Sequence, residues 1–147
     1  MHAFGTVEEK RRRRGACGVS MRLPMKPWLA VAAVNGFLAV AFGAIAAHAL
    51  SGRLAPHALQ IFETGARYHM YHALALGLAA FAMRGGASGA AQGAACFFLA
   101  GIVLFSGSLY LLALTGLYLL GFVTPFGGLA FLIGWSLLAW SAMKIAP

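Results

Sequence analysis

At 147 residues, with 61% hydrophobic and only 10% charged residues and a mean hydropathy of +0.82, the chain has the length of one domain and the composition of a membrane protein. The net charge of +8 does not point to nucleic acid: seven of the eleven lysines and arginines precede residue 27, forming a tail rather than a face. Such a tail beside a spanning helix sets orientation or touches anionic lipid, so nucleic acid is excluded as a partner.

Residues 1–26 carry the run Lys10 to Arg14 after Glu8 and Glu9 and show no core-forming period, which predicts a disordered basic cytoplasmic tail. The paired glutamates and single serine argue against a mitochondrial transit peptide, and a translation start at Met21 or Met25 would remove the tail. Residues 27–147 read as an all-α, four-span transmembrane helix bundle, with spans at about 28–50, 66–84, 90–115 and 123–143.

The first span, Trp28 to Leu50, is 23 residues without a charge, with Asn35 and His48 as its strongly polar side chains. Ala39, Gly43 and Ala47 recur every fourth residue, a small-residue stripe of the kind that lets another helix backbone approach in lipid. Ser51-Gly52-Arg53 ends this helix, and Pro56 suits the first turn of the next. From His57 the pattern is amphipathic, with Leu59, Phe62 and Ala66 on one face and His57, Gln60 and Arg67 on another. This predicts a short interfacial amphipathic helix between spans 1 and 2, turning inward near Gly65. The second span is short: the 16 residues from Tyr68 to Met83 rise about 24 Å, below the ~30 Å of a hydrocarbon core. Either the helix continues unbroken from Pro56, or His69 and His72 sit below the interface; both can hold.

Arg84 to Gly89 reads as a loop, Ala90 to Leu114 as the third span, and Gly116 to Gly121 as an uncharged turn. Thr124 is the expected N-cap of the fourth span and Pro125 its first helical residue. Four spans put both termini on one side, with Lys10 to Arg14, Arg22, Lys26, Arg84 and Lys144 there against Arg53 and Arg67 opposite. The excess of cations places both termini in the cytoplasm. A bacterial cytoplasmic membrane is expected, with the mitochondrial inner membrane as the alternative.

Chemistry concentrates in Glu63 to His72. Projected at 100° per residue, His69 and His72 lie about 60° apart, while Glu63 and Arg67 point more than about 100° away from His69. Glu63–Arg67 therefore reads as an interfacial i,i+4 ion pair. His48, His69 and His72 are candidate ligands for a metal, or in pairs for haem. The competing reading is a structural polar network, drawing on Tyr68, Tyr71, Tyr110, Ser106 and Ser108, and a third is a protonatable relay. No GxSxG motif is present and no acid is placed to orient a base, which points away from hydrolase chemistry. Cys17 in the tail and Cys96 in an apolar run suggest neither a disulfide nor a thiolate metal site.

GAIAAHAL at Gly43 to Leu50, RYHMYHALAL at Arg67 to Leu76, LFSGSLYLLALTG at Leu104 to Gly116 and TPFGGLAFLIGW at Thr124 to Trp135 together resemble the transmembrane protein 256 / YgdD-type family of uncharacterised small membrane proteins. The resemblance runs from Met25 to Met143 and implies a four-span protein without an assigned activity. It carries over His48, Arg67, Tyr68, Tyr71, His72, Ser106, Gly107, Ser108, Tyr110, Thr124, Pro125, Gly127 and Gly128. Two departures stand out: the family pattern has GAFGAH where this chain has Gly43 to His48, and glutamine where it has His69. A shared site therefore need not include His69. The expectation is a non-enzymatic accessory or assembly protein in contact with the bilayer and with partner helices or further copies of itself. The alternative is a metal- or haem-binding or proton-relay protein using His48 and His72.

Overall fold

The structure, a computed structural model, describes residues 25–85 and 88–144; the expected basic tail lies outside the described residues. It is all-helical across them. Helix α1 (Met25–Ile45) runs on through a π turn, Ala46–Leu50, and α2 (Pro56–Ala82) ends in a 3₁₀ turn, Met83–Gly85. Helix α3 (Ser88–Gly101) continues through a π segment, Ile102–Ser106, into α4 (Gly107–Thr115), and a 3₁₀ turn, Tyr118–Phe122, leads to α5 (Thr124–Ala142). Three rods are long and apolar enough to cross a membrane: Met25–Leu50, Gly89–Thr115 and Tyr118–Ala142. The shortest, at 25 residues, rises about 37 Å and exceeds a ~30 Å hydrocarbon layer. The fourth rod, α2, is 27 residues long but is diluted by His57, Gln60, Glu63, Arg67, His69 and His72.

Local chemistry accounts for the ends. Pro56 and Pro125 sit in the first turns of α2 and α5, where a missing N–H leaves nothing unpaired. Gly116 closes α4 in the left-handed conformation, φ 71°, and its N–H returns to Leu112 O at 2.8 Å. Thr124 is not a side-chain cap. Its hydroxyl bonds inward, and the capping position falls to Val123.

The separate interfacial helix does not form. The amphipathic stretch and the second expected span are one uninterrupted helix, because Gly65 serves close approach rather than a bend. A Cβ there would stand 2.9 Å from Tyr110 Cε1 and 3.3 Å from Leu109 Cβ.

The rods alternate in direction, and two core layers record it. At one end Trp28 and Ala32 of α1 meet Ala75, Leu76, Ala79 and Ala80 of α2, Ala94, Ala95 and Phe98 of α3, and the far half of α5 through Phe131, Leu137 and Leu138. At the other end Phe42, Ala46 and Leu50 meet Phe62 and Ala66 of α2 and Tyr110 and Ala113 of α4. Lys26, Arg84 and Lys144 thus share one end, with Lys144 Nζ 4.9 Å from the Trp140 ring centre. Between α3 and α5 rings lock onto glycines in both directions: Phe98 covers Gly134, Phe131 covers Gly101, and Phe105 covers Gly127. With no hydrophobic drive between helices in lipid, such close fits carry the association.

Candidate functional site

Three sets of polar side chains lie inside this apolar frame, each tying together helices that the core layers bring to the same depth. The first joins Asn35 of α1, His69 of α2 and Tyr110 of α4, all buried. Asn35 Nδ2 donates to Val31 O at 2.8 Å, which fixes Oδ1 as the acceptor facing His69 Nε2 at 3.1 Å. His69 must then carry its proton on Nε2 and accept the Tyr110 hydroxyl at Nδ1, 3.2 Å away. Phe42 and Phe62 seal the Tyr110 ring, each with its ring centre 4.7 Å away.

The second set has the opposite tautomer. His72 Nδ1–H donates to Tyr68 O, one turn earlier, at 2.8 Å, so Nε2 is the acceptor for Trp135 Nε1–H at 3.3 Å. The imidazole lies flat on Phe131, ring centres 3.3 Å apart and 7° from parallel. The third set starts from the π segment, whose wider turn disturbs the carbonyl ladder. Ser108 Oγ stands 2.9 Å from Phe105 O and 2.8 Å from Thr124 Oγ1, and Thr124 Oγ1 stands 3.3 Å from Leu120 O, so the two hydroxyl protons are shared over three contacts that link α4 to α5.

His69 and His72 thus serve different neighbours although only three residues apart: the 60° between them sends one ring toward α1 and α4 and the other toward α5. His48 stands exposed on the π turn Ala46–Leu50, so the three histidines do not converge. Among the described residues no group of three or more His, Cys, Asp or Glu could hold a metal ion. The imidazoles of His69 and His72 each have the lone-pair nitrogen engaged by a protein donor. A metal or haem iron at His72 would have to displace Trp135, and one at His69 would have to displace Tyr110.

Glu63 and Arg67 are exposed and, among the described residues, form no ion pair with each other. Tyr68 and Tyr71 are 40% and 53% exposed, and their rings border a groove of about 410 Å³ between α2 and α5, whose floor is His72, Phe131 and Trp135. Ser106 is fully buried in the π segment, and among the described residues its hydroxyl, Trp28 Nε1 and Ser141 Oγ have no hydrogen-bond partner. Cys96 is an exposed free thiol.

Two partners in these sets escape a reading of the sequence, Trp135 and Thr124's hydroxyl. Trp135 lies 63 residues from His72, and only a match in depth across antiparallel helices connects them. Asn35, a lone amide in an apolar run, signals an interhelical role in the sequence, as do Tyr110 and Ser108 beside the histidines.

The family model described as "Protein of unknown function (DUF423)" matches residues 42–128. The chain is 46% identical over 121 residues to the UPF0382 membrane protein YwdK of Bacillus subtilis, covering 82% of this chain and 98% of that protein. It is 43% identical over 117 residues to the UPF0382 inner membrane protein YgdD of Escherichia coli K12, covering 80% of this chain and 89% of the other. A Staphylococcus aureus UPF0382 membrane protein is 42% identical over 122 residues, covering 83% and 99%. No solved structure matches.

Proposed function

The chain belongs to the DUF423/UPF0382 family of membrane proteins, and from that premise we propose that it is a non-enzymatic accessory or assembly protein that offers α1 to a partner helix. The observation that carries this reading is a division among the glycines. Gly65, Gly101, Gly127 and Gly134 are filled from within the bundle by Tyr110, Phe131, Phe105 and Phe98. Gly36 and Gly43 on α1 have, among the described residues, nothing within 4 Å of where a Cβ would stand. With exposed Ala33, Val40 and Ala47 they form an outward strip within about 80° of helix surface. Ala39 has turned away from that strip into the core, at 4% exposure. Small residues on an open face bring a second backbone close, and nothing inside the bundle uses these two glycines.

In this reading α2 is the fourth crossing. Its 27 residues rise about 40 Å, enough to span, and its polar groups turn inward at His69 and His72. Both termini then face the cytoplasm of a bacterial inner membrane, with Lys26, Arg84 and Lys144 on that side. A photo-crosslinking residue at Val40 in native membranes tests the docking face. The expected result is one adduct of defined mass that is lost in Gly43→Leu. No adduct above the monomer overturns the reading.

A second reading keeps the histidines as ligands or relay groups. It draws on His69, whose hydrogen-bonded chain from Tyr110 to Asn35 connects three helices. His48 and His72 would instead need Trp135 to swing away. A visible absorption spectrum and metal analysis of purified protein test the ligands: a haem band or stoichiometric metal supports them, and colourless, metal-free protein removes them and leaves only the relay.

A further inference from the structure

Of the outward faces of the four rods, α2's is the one unsuited to lipid. Val34, Phe37 and Val40 project from α1, and Leu129, Leu132 and Ile133 from α5. On α2 Gln60, Arg67, Leu74 and Phe81 project instead, spaced seven residues apart along one exposed line. Glu63, Tyr71 and Leu78 flank that line, also exposed, so the seam runs the length of the helix. Seven-residue spacing is the geometry by which two helices pack along their whole length at a shallow left-handed crossing.

The charges on the seam lie deep. A Cβ at Gly65 would stand 3.3 Å from Leu109 Cβ, which sets these two residues at one level. Glu63 lies two residues, about 3 Å, outward of Gly65, whereas α4 runs six residues, about 9 Å, outward from Leu109 to Thr115 before its connector. That connector turns Leu117, Tyr118, Leu119 and Phe122 outward, and two of them exceed 75% exposure. Glu63 and Arg67 therefore lie closer to the centre of the bundle than an apolar connector built to face lipid. Charges at such depth are found paired. Here they are four residues apart on one helix and, among the described residues, unpaired.

We propose that this face of α2 is the contact surface of a parallel two-fold dimer of the chain. The seam carries one acid and one base and is thus complementary to itself. Helical side chains lean toward the N-terminus, which brings Arg67 of each copy toward the level of Glu63 of the other. A two-fold axis along the seam makes both pairs at once, with Leu74, Leu78 and Phe81 closing the remainder. The shared excess of cations at one end inserts both copies in the same direction, so the pairing is parallel. The proposal rests on α2 being a crossing, as read above.

The test uses full-length protein in native membranes, in a Cys17→Ser/Cys96→Ser background. Copper phenanthroline oxidation of Leu74→Cys gives a disulfide-linked dimer, while Phe37→Cys on α1 and Leu132→Cys on α5 stay monomeric. Adding Glu63→Arg removes most of the dimer band, and Glu63→Arg with Arg67→Glu restores it. The restoration excludes a folding defect as the cause of the loss. Equal dimer at all three cysteines, no dimer at Leu74→Cys, or an adduct of Leu74→Cys with a different protein overturns the proposal. Membrane-impermeant maleimide labels Gly52→Cys and Arg84→Cys from opposite sides if α2 crosses. Labelling from one side removes the fourth crossing and the dimer with it, whereas opposite-side labelling without cross-linking removes the dimer alone.

Discussion

Replacing Tyr110 by Phe isolates one hydrogen bond in the bundle, and its effect can be worked out from the geometry. The ring keeps its neighbours Phe42 and Phe62, each 4.7 Å away centre to centre, and its place against Gly65, so no cavity opens. What is lost is the 3.2 Å donor to His69 Nδ1, leaving a buried lone pair without a partner. Interhelical hydrogen bonds in membrane bundles average ~0.6 kcal/mol and reach ~1.7 kcal/mol. An orphaned buried acceptor costs ~1–3 kcal/mol. A loss of about 1 kcal/mol follows, roughly a fivefold shift in the folding equilibrium. His69→Leu removes both of the ring's bonds and strands the Tyr110 hydroxyl and Asn35 Oδ1, for about 2 kcal/mol. In that background Tyr110→Phe deletes a hydroxyl that already lacks a partner, so the double variant is no less stable than His69→Leu alone. Reversible unfolding in mixed micelles titrated with a denaturing detergent, followed by far-ultraviolet circular dichroism, measures the four variants. Additive costs around the cycle would refute the coupling of His69 and Tyr110.

Gly134→Val drives a Cβ to 2.7 Å from two atoms of the Phe98 ring, and the same unfolding assay should show a loss of about 1–3 kcal/mol. Gly36→Ala meets nothing within 4 Å and should leave the isolated chain as stable as wild type, or stabilise it by up to ~1 kcal/mol through helix propensity. Gly116→Ala forces a side chain into φ 71°, and a thermal melt should register a loss of about 1–2 kcal/mol.

The helix ends were legible because prolines and glycines declare them: Pro56, Gly116 and Pro125 stand where the sequence puts the first and last turns. In α2 the core face was legible, since Leu59, Phe62 and Ala66 all pack inward while His57, Gln60 and Arg67 stay exposed; in α1 and α5 it was not. In α1 and α5 nearly every side chain is apolar, so lipid-facing and core-facing positions have the same chemistry and periodicity is lost. The Ala39-Gly43-Ala47 stripe shows the result, since 40° of drift per step carries Ala39 into the core and Ala47 out of it. The π segment Ile102–Ser106 adds a second obstacle. An extra residue in the turn rotates everything after it by about 100°, and no residue type announces the change. The resemblance, whose pattern has glutamine at this position, implies only that a shared site need not include His69, yet His69 is the hub of the first polar set. A glutamine there offers a donor and an acceptor, the same pair of functions that the neutral imidazole supplies to Asn35 and Tyr110. Spacing alone pairs Glu63 with Arg67. Spacing brings two charges within reach but does not hold exposed side chains together.

The central claim is that the histidines fasten helices to one another and are not ligands. Nitrogen-15 spectroscopy of histidine-labelled protein in lipid bilayers near neutral pH tests it most directly. His69 should appear as the neutral ring protonated on Nε2 and His72 as the neutral ring protonated on Nδ1, with both patterns unchanged by equimolar zinc or haem. A single tautomer for both rings, or a ring nitrogen shifted by either addition, would contradict the account.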